Sequence, residues 1–221
     1  IEEEFEKALS AGKDVLFTCL SSGISSTINN AFVCKEEMQE KYPDAEICVF
    51  DSICASGGHG LLIYHAIENK KKGMSVKENM QALEELKHRI VHKFTVDDLT
   101  YLQRGGRISK TAAVIGGMIQ LKPVLHVDTE GRLAAESKVR GRKKALNQLL
   151  AEMDICTGGY ADKQDVVLIC HADCPEDAEY VRAKVEEKYH PNKIIMSEVG
   201  PIVGAHVGPG TMVLIFEGDK R

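Results

Sequence analysis

Five of the seven positions from Ser21 to Thr27, in the segment Leu20-Ser21-Ser22-Gly23-Ile24-Ser25-Ser26-Thr27, carry hydroxyls. The segment joins a short apolar run to the start of a helix-like stretch. Hydroxyls and the free backbone N–H groups of a helix start together hold an anion, because that end of a helix carries roughly half a positive charge. A carboxylate or a phosphate suits such a loop. Plain helix capping is the simpler alternative, but so many hydroxyls favour a ligand. Asp51-Ser52 ends the next apolar run. If the two runs are parallel neighbours, the pair shares a sheet edge with Ser21 and Ser22; an Asx-type turn is the equally weighted alternative.

Three further segments carry chemistry. In Leu102-Gln103-Arg104-Gly105-Gly106-Arg107-Ile108-Ser109, one helix stops at glycine and Ser109 caps another, leaving Arg107 in the turn with a guanidinium able to grip an oxyanion in bidentate fashion. Lys138, Arg140, Arg142, Lys143 and Lys144 form the densest basic cluster. It falls at a helix start, where cations oppose the helix dipole, which favours a bound anion or an acidic partner. From Gly200 to Gly210, four glycines and two prolines surround His206 and impose a shape on a loop that aims its ring. The run Cys170-His171-Ala172-Asp173-Cys174 has metal-ligand composition but no second pair at zinc spacing. It reads as a strand end and a helix start capped by Asp173, with Pro175 as the first helical residue.

These residues need a scaffold, and apolar periodicity supplies one. A helix over 2–9, a strand over 15–20, a helix over 25–40 and a strand over 47–50 make a βαβ unit. The helix that begins near Ser56 carries Gly57, Gly58 and Gly60 on its first turns, where small residues let another element approach closely. Ser75 with Glu78 forms a capping box for a helix reaching 88. The expected organisation is α/β: an N-terminal parallel-sheet βαβ domain, 1–88, and a C-terminal α/β domain, 89–221, with an inserted hairpin. The second domain reads as a strand over 91–96 and helices over 97–102 and 109–119. A hairpin follows, with strands over 122–128 and 132–138 around Thr129-Glu130-Gly131. Helices over 143–154 and 175–189, strands over 166–171, 194–199 and 212–217, and the glycine-rich loop complete it.

Composition excludes several classes. The apolar run from Val166 to Cys170 is far short of the roughly 20 residues of a spanning helix, so a soluble protein without a transmembrane segment is expected. The formal net charge of −5 argues against a nucleic-acid partner held by the whole surface. Seven cysteines, an odd number lying mostly in apolar runs, point to free thiols and a reducing cytoplasm.

Leu20 through Ser25, Asp51-Ser52, the Gly-Gly-Arg-Ile-Ser of residues 105–109, Leu121-Lys122-Pro123-Val124, Lys138-Val139-Arg140 and Gly204-Ala205-His206-Val207-Gly208-Pro209-Gly210 together resemble the DegV family over essentially the whole chain. The resemblance implies a two-domain protein that carries a long-chain fatty acid as its ligand, without a cofactor and without catalysis of its own. In bacterial members of the fatty-acid kinase B type, the acid is presented to a separate ATP-dependent kinase subunit, which phosphorylates its carboxylate. The resemblance places Ser21, Ser22 and Gly23 in the carboxylate-binding loop and His206 near the carboxylate. It places Arg107 and Arg140 around the exposed head group and the kinase-docking surface. The family usually opens with a further strand and helix, with a Thr-containing loop before a Gln-Pro pair; neither precedes Ile1. Ser26 stands where glycine is common and Val207 where threonine is common.

Two other functions compete. A phosphoryl- or acyl-transfer enzyme would use His206 as general base beside Ser21 or Ser22, but a P-loop, a convincing metal site and a complete triad order are all missing. Nucleic-acid binding through residues 138–144 is disfavoured by the net charge.

Overall fold

The computed structural model describes residues 1–109 and 121–221. The helix expected over 109–119 lies, apart from Ser109, outside the described residues. Helix α1 (Glu2–Ser10) buries Phe5 and Leu9, one turn apart on one face. Strand β1 (Val15–Cys19), helix α2 (Thr27–Lys41) and strand β2 (Ile47–Asp51) follow, and α2 buries Ile28, Ala31, Cys34 and Met38 against the sheet. The two strands pair in parallel, from Val15 opposite Ile47 to Cys19 opposite Asp51. This is the expected βαβ unit, and its register brings Asp51 beside the loop that leaves β1.

Helices α3 (Ser56–Lys71) and α4 (Val76–Leu86) come next. The hydroxyl of Ser75 accepts from Glu78 N–H at 3.3 Å, and the Glu78 carboxylate accepts from Ser75 N–H at 2.8 Å, so the capping box is complete. Then come β3 (Ile90–Thr95), α5 (Thr100–Arg104), β4 (Leu121–Val127), β5 (Leu133–Arg140), α6 (Arg142–Thr157), β6 (Val166–His171), α7 (Pro175–Tyr189), β7 (Lys193–Glu198), α8 (Pro201–Val207) and β8 (Met212–Glu217). Six strands form one mixed sheet in the order β5-β4-β3-β8-β6-β7, in which β6 and β7 are parallel. Strands β3 and β6 are buried along their whole length, because helices cover both faces. Val213 and Ile215 point to the side of α3 and α4, where Leu61, Leu62 and Leu83 meet them; Met212, Leu214 and Phe216 point to the side of α6 and α7, among Leu149 and Val181. The division expected at 88/89 falls in the short 3-10 turn Lys87–Arg89, and one apolar cluster runs across it from Phe50 to Ile215.

Three local expectations are corrected. The stretch expected as a glycine-rich loop of imposed shape contains α8: Pro201 stands at its first position, Gly204 N–H reaches the Gly200 carbonyl at 2.8 Å, and Gly208 N–H reaches that of Gly204 at 2.8 Å. Gly208 ends the helix at φ 75°, so a proline start and a glycine stop outweigh the intrinsic cost of the internal glycine. The helix expected over 97–102 starts at Thr100, whose N–H is taken by the Asp98 carboxylate at 2.8 Å. Asp173 does not cap α7; Cys174 holds the capping position and Asp173 adopts φ 55°, a turn conformation that aspartate tolerates.

Candidate functional site

A cavity of about 160 Å³ lies between the six-stranded sheet and the segments that cross above it. Its floor is apolar: Phe94 of β3, Val213 of β8, and Val127 and Leu133 of the β4–β5 hairpin. His92, beside Phe94, is 1% exposed, and its Nε2 accepts from Ala55 N–H at 3.3 Å. Burial first, and the nearby Arg221 cation second, push the His92 pKa down to about 3, so the ring is neutral. The roof is built from the loop after β1 (Leu20, Ile24, Ser25), the turn after α5 (Arg107), and α8 (Val203, His206, Val207). Val207 gives this wall an apolar face.

A second cavity, about 510 Å³, borders the first and shares Ile24, Arg107 and Leu133 with it. Gly23, Ser109 and Arg132 also line it. Arg107 therefore stands in the wall common to both. Its Nε donates to the Ile24 carbonyl at 3.2 Å and its Nη1 donates to the Gly105 carbonyl, so one side chain ties the β1 loop to the turn after α5. His206 packs on the same turn, and a Cβ at Gly105 would collide with its Nδ1. The glycine read from sequence as a helix stop thus also makes room for the histidine.

The hydroxyl loop divides its labour. Ser21 is fully buried; its Oγ accepts from Gly23 N–H at 3.0 Å and occupies the space that a Cβ at Gly131 would fill. Ser22 is exposed and its N–H donates to Asp51 Oδ1 at 3.1 Å. Gly23 rests on the hairpin tip, where a Cβ would stand 2.8 Å from the Glu130 carbonyl oxygen and 2.9 Å from that of Gly131. Of the serines in this loop, Ser25 is the one that lines the inner cavity; its Oγ accepts from Thr27 N–H at 3.3 Å and lies 3.0 Å from Thr27 Oγ1. Among the described lining residues, the structure thus gathers Ser25, Arg107 and His206 at the inner cavity and places Gly23 at the outer one. Ser21 and Ser22 shape and anchor the loop from outside the lining, and Arg140 stands at the end of β5, opposite Leu121, outside both.

Sequence reasoning passed over Ser25 as an individual, His92 and Thr211. The β3 histidine lies inside an apolar run, and alternation within a strand buried on both faces does not say which side meets a cavity. Arg142, the cation that opposes the α6 dipole, is paired: its Nε reaches Asp177 at 2.7 Å and its Nη1 reaches Asp97 at 3.5 Å. Among the described residues there is no cluster of three or more potential metal ligands and no helix long and apolar enough to cross a membrane. An apolar chamber with a cation, a hydroxyl and an imidazole in one part of its wall suits an amphipathic ligand with an acidic head.

A family model described as "Uncharacterised protein, DegV family" matches residues 1–219. A DegV domain-containing protein of Clostridium perfringens is 40% identical over 219 residues, covering 99% of this chain and 75% of that protein. The DegV domain-containing protein YteA of Lactococcus lactis is 35% identical over 216 residues, covering 96% of this chain and 72% of that protein. Among solved structures, a DegV lipid binding protein of Thermotoga maritima matches with TM-score 0.84 at 27% identity, covering 100% of this chain and 74% of that one. A DegV family protein of Thermus thermophilus, described for its fatty acid binding, matches with TM-score 0.85 at 26% identity, covering 98% and 75%. The Fatty Acid Kinase (Fak) B3 protein of Streptococcus pneumoniae, loaded with linoleic acid, matches with TM-score 0.89 at 21% identity, covering 99% and 76%; at that identity the likeness is one of fold.

Proposed function

The chain belongs to the DegV family, and from that premise we propose that it binds a long-chain fatty acid in the inner cavity and presents the carboxylate to a separate ATP-dependent kinase for acyl-phosphate formation. The observation that carries the reading is the placement of Arg107. It stands between an apolar chamber and a cavity lined by Arg132 and Ser109, so a carboxylate gripped there has its chain inside and its oxygens toward the outer space. Ser25 and His206 complete the head-group wall, while Ser21, Ser22 and Gly23 hold the loop in shape. The fatty acid binding described for the Thermus thermophilus relative supports the ligand class. The fold shared with Fak B3 supports the kinase step.

Affinity comes from the hydrocarbon. Each methylene buried in the apolar chamber contributes about 0.8 kcal/mol before ordering costs. The head group then selects and orients. Native mass spectrometry of the intact chain, followed by denaturation and extraction, should release a fatty acid at close to one per chain. A chain that arrives empty and takes up no added fatty acid overturns the proposal. No observation favours the transferase alternative, since Ser22 is outside the lining that contains His206.

A further inference from the structure

His92 and Phe94 are two residues apart on β3 and so share the face that meets the inner cavity. On the neighbouring strand, Val213, opposite Phe94, also lines the cavity, but Ile215, opposite His92, does not. The difference is made by α3. Its first turn lands on the sheet at this level: a Cβ at Gly57 would stand 2.6 Å from Cys170 Sγ and 2.8 Å from Ile215 Cδ1, and a Cβ at Gly58 would collide with the His92 ring. Among the described lining residues, His92 thus stands, with Ala55 and Ser56, at the edge where helix closes onto sheet. The Ala55 N–H holds the ring there. An alkyl chain does not displace it, because a displaced imidazole leaves that N–H unpaired in apolar surroundings.

Resting on the fatty-acid reading of the same cavity, we infer that His92 is a specificity-determining residue, the stop whose size sets how much hydrocarbon the cavity admits. Removing the imidazole opens space toward Gly58, which has no side chain to fill it, and the new space is continuous with the cavity. A leucine at the same place keeps the volume but gives up the hydrogen bond from Ala55 N–H.

The test loads the intact chain and its His92→Ala, His92→Val and His92→Leu variants with an equimolar mixture of saturated straight-chain acids of graded length, then identifies the bound acids by extraction and mass spectrometry. Circular dichroism reports folding. The bound distribution should move to longer chains in His92→Ala, move less in His92→Val, and stay at the wild-type position in His92→Leu. The valine variant, with its smaller void, carries the test if the alanine variant does not fold. An unchanged distribution in a folded small-residue variant overturns the inference. So does an equal shift in His92→Leu, or a folded variant that binds nothing while the wild type binds. A wild-type chain that takes up no acid of any length instead overturns the fatty-acid reading itself.

Discussion

Arg107 spends its Nε and one terminal nitrogen on the part-buried carbonyls of Ile24 and Gly105, which fixes how the rest of the guanidinium is aimed. Replacing it by alanine should weaken fatty-acid retention about tenfold or more, the effect of a lost charge-assisted hydrogen bond of about 1.5–3 kcal/mol, measured by competition with a fluorescent acyl probe. Gly105→Ala should act on the same site indirectly, since the new Cβ displaces His206. Overpacking of this kind costs roughly 1–3 kcal/mol of stability, read from urea unfolding. His92 gives a pH dependence of definite sign. Its folded pKa of about 3 lies below the ordinary 6.5, so between those values the unfolded chain binds the extra proton and stability falls as pH falls. The loss should reach about 2 kcal/mol by about pH 5, and His92→Leu should remove that part of the acid slope.

At the scale of elements, the β4–β5 hairpin carries a device outside the cavity. The register slips between Val124 and Leu125, leaving Glu136 as the extra residue of a bulge. The bulge turns Glu136 onto Lys93, which is 1% exposed and lies 2.8 Å from each carboxylate oxygen, with Glu152 of α6 at 3.6 Å. One cation thus fastens β3, β5 and α6. Lys93→Met should cost about 1.5–3 kcal/mol, because Glu136 and Glu152 lose their shared cation while Gln148 still donates to Glu152 at 2.8 Å. Adding Glu136→Gln should recover part of that loss, and chemical denaturation of the single and double variants measures the coupling.

For the whole molecule, the consequence is that the cavity is built from both halves of the chain. The sheet floor comes from residues after Ile90, the roof partly from the β1 loop, and the closing edge from α3. Ligand in this cavity binds the folded chain only. Fatty acid at about a hundredfold excess over its Kd should therefore raise unfolding free energy by about 2.7 kcal/mol. Calorimetry should show the transition temperature rising with added acid, and a transition that ignores the acid would contradict fatty-acid binding to the folded chain.

Residue patterns alone carry the family, the alternating α/β order, the capping box at Ser75, the hairpin turned at Gly131, and the three segments around Ser21, Arg107 and His206 that hold polar groups. Each of these is written in hydrogen-bonding or periodic patterns a few residues long, so no knowledge of distant neighbours is needed to read it. Tertiary structure decided which members of those segments do what. Ser25 lines the cavity while Ser21 fills the space left by Gly131, Arg107 reaches across 83 residues to Ile24, Arg142 is taken up by Asp97 and Asp177, and His92 becomes a wall because α3 lands on the sheet at Gly57 and Gly58. A side chain's local pattern says whether it is buried or turned, but what it meets there depends on elements brought together only when the chain packs.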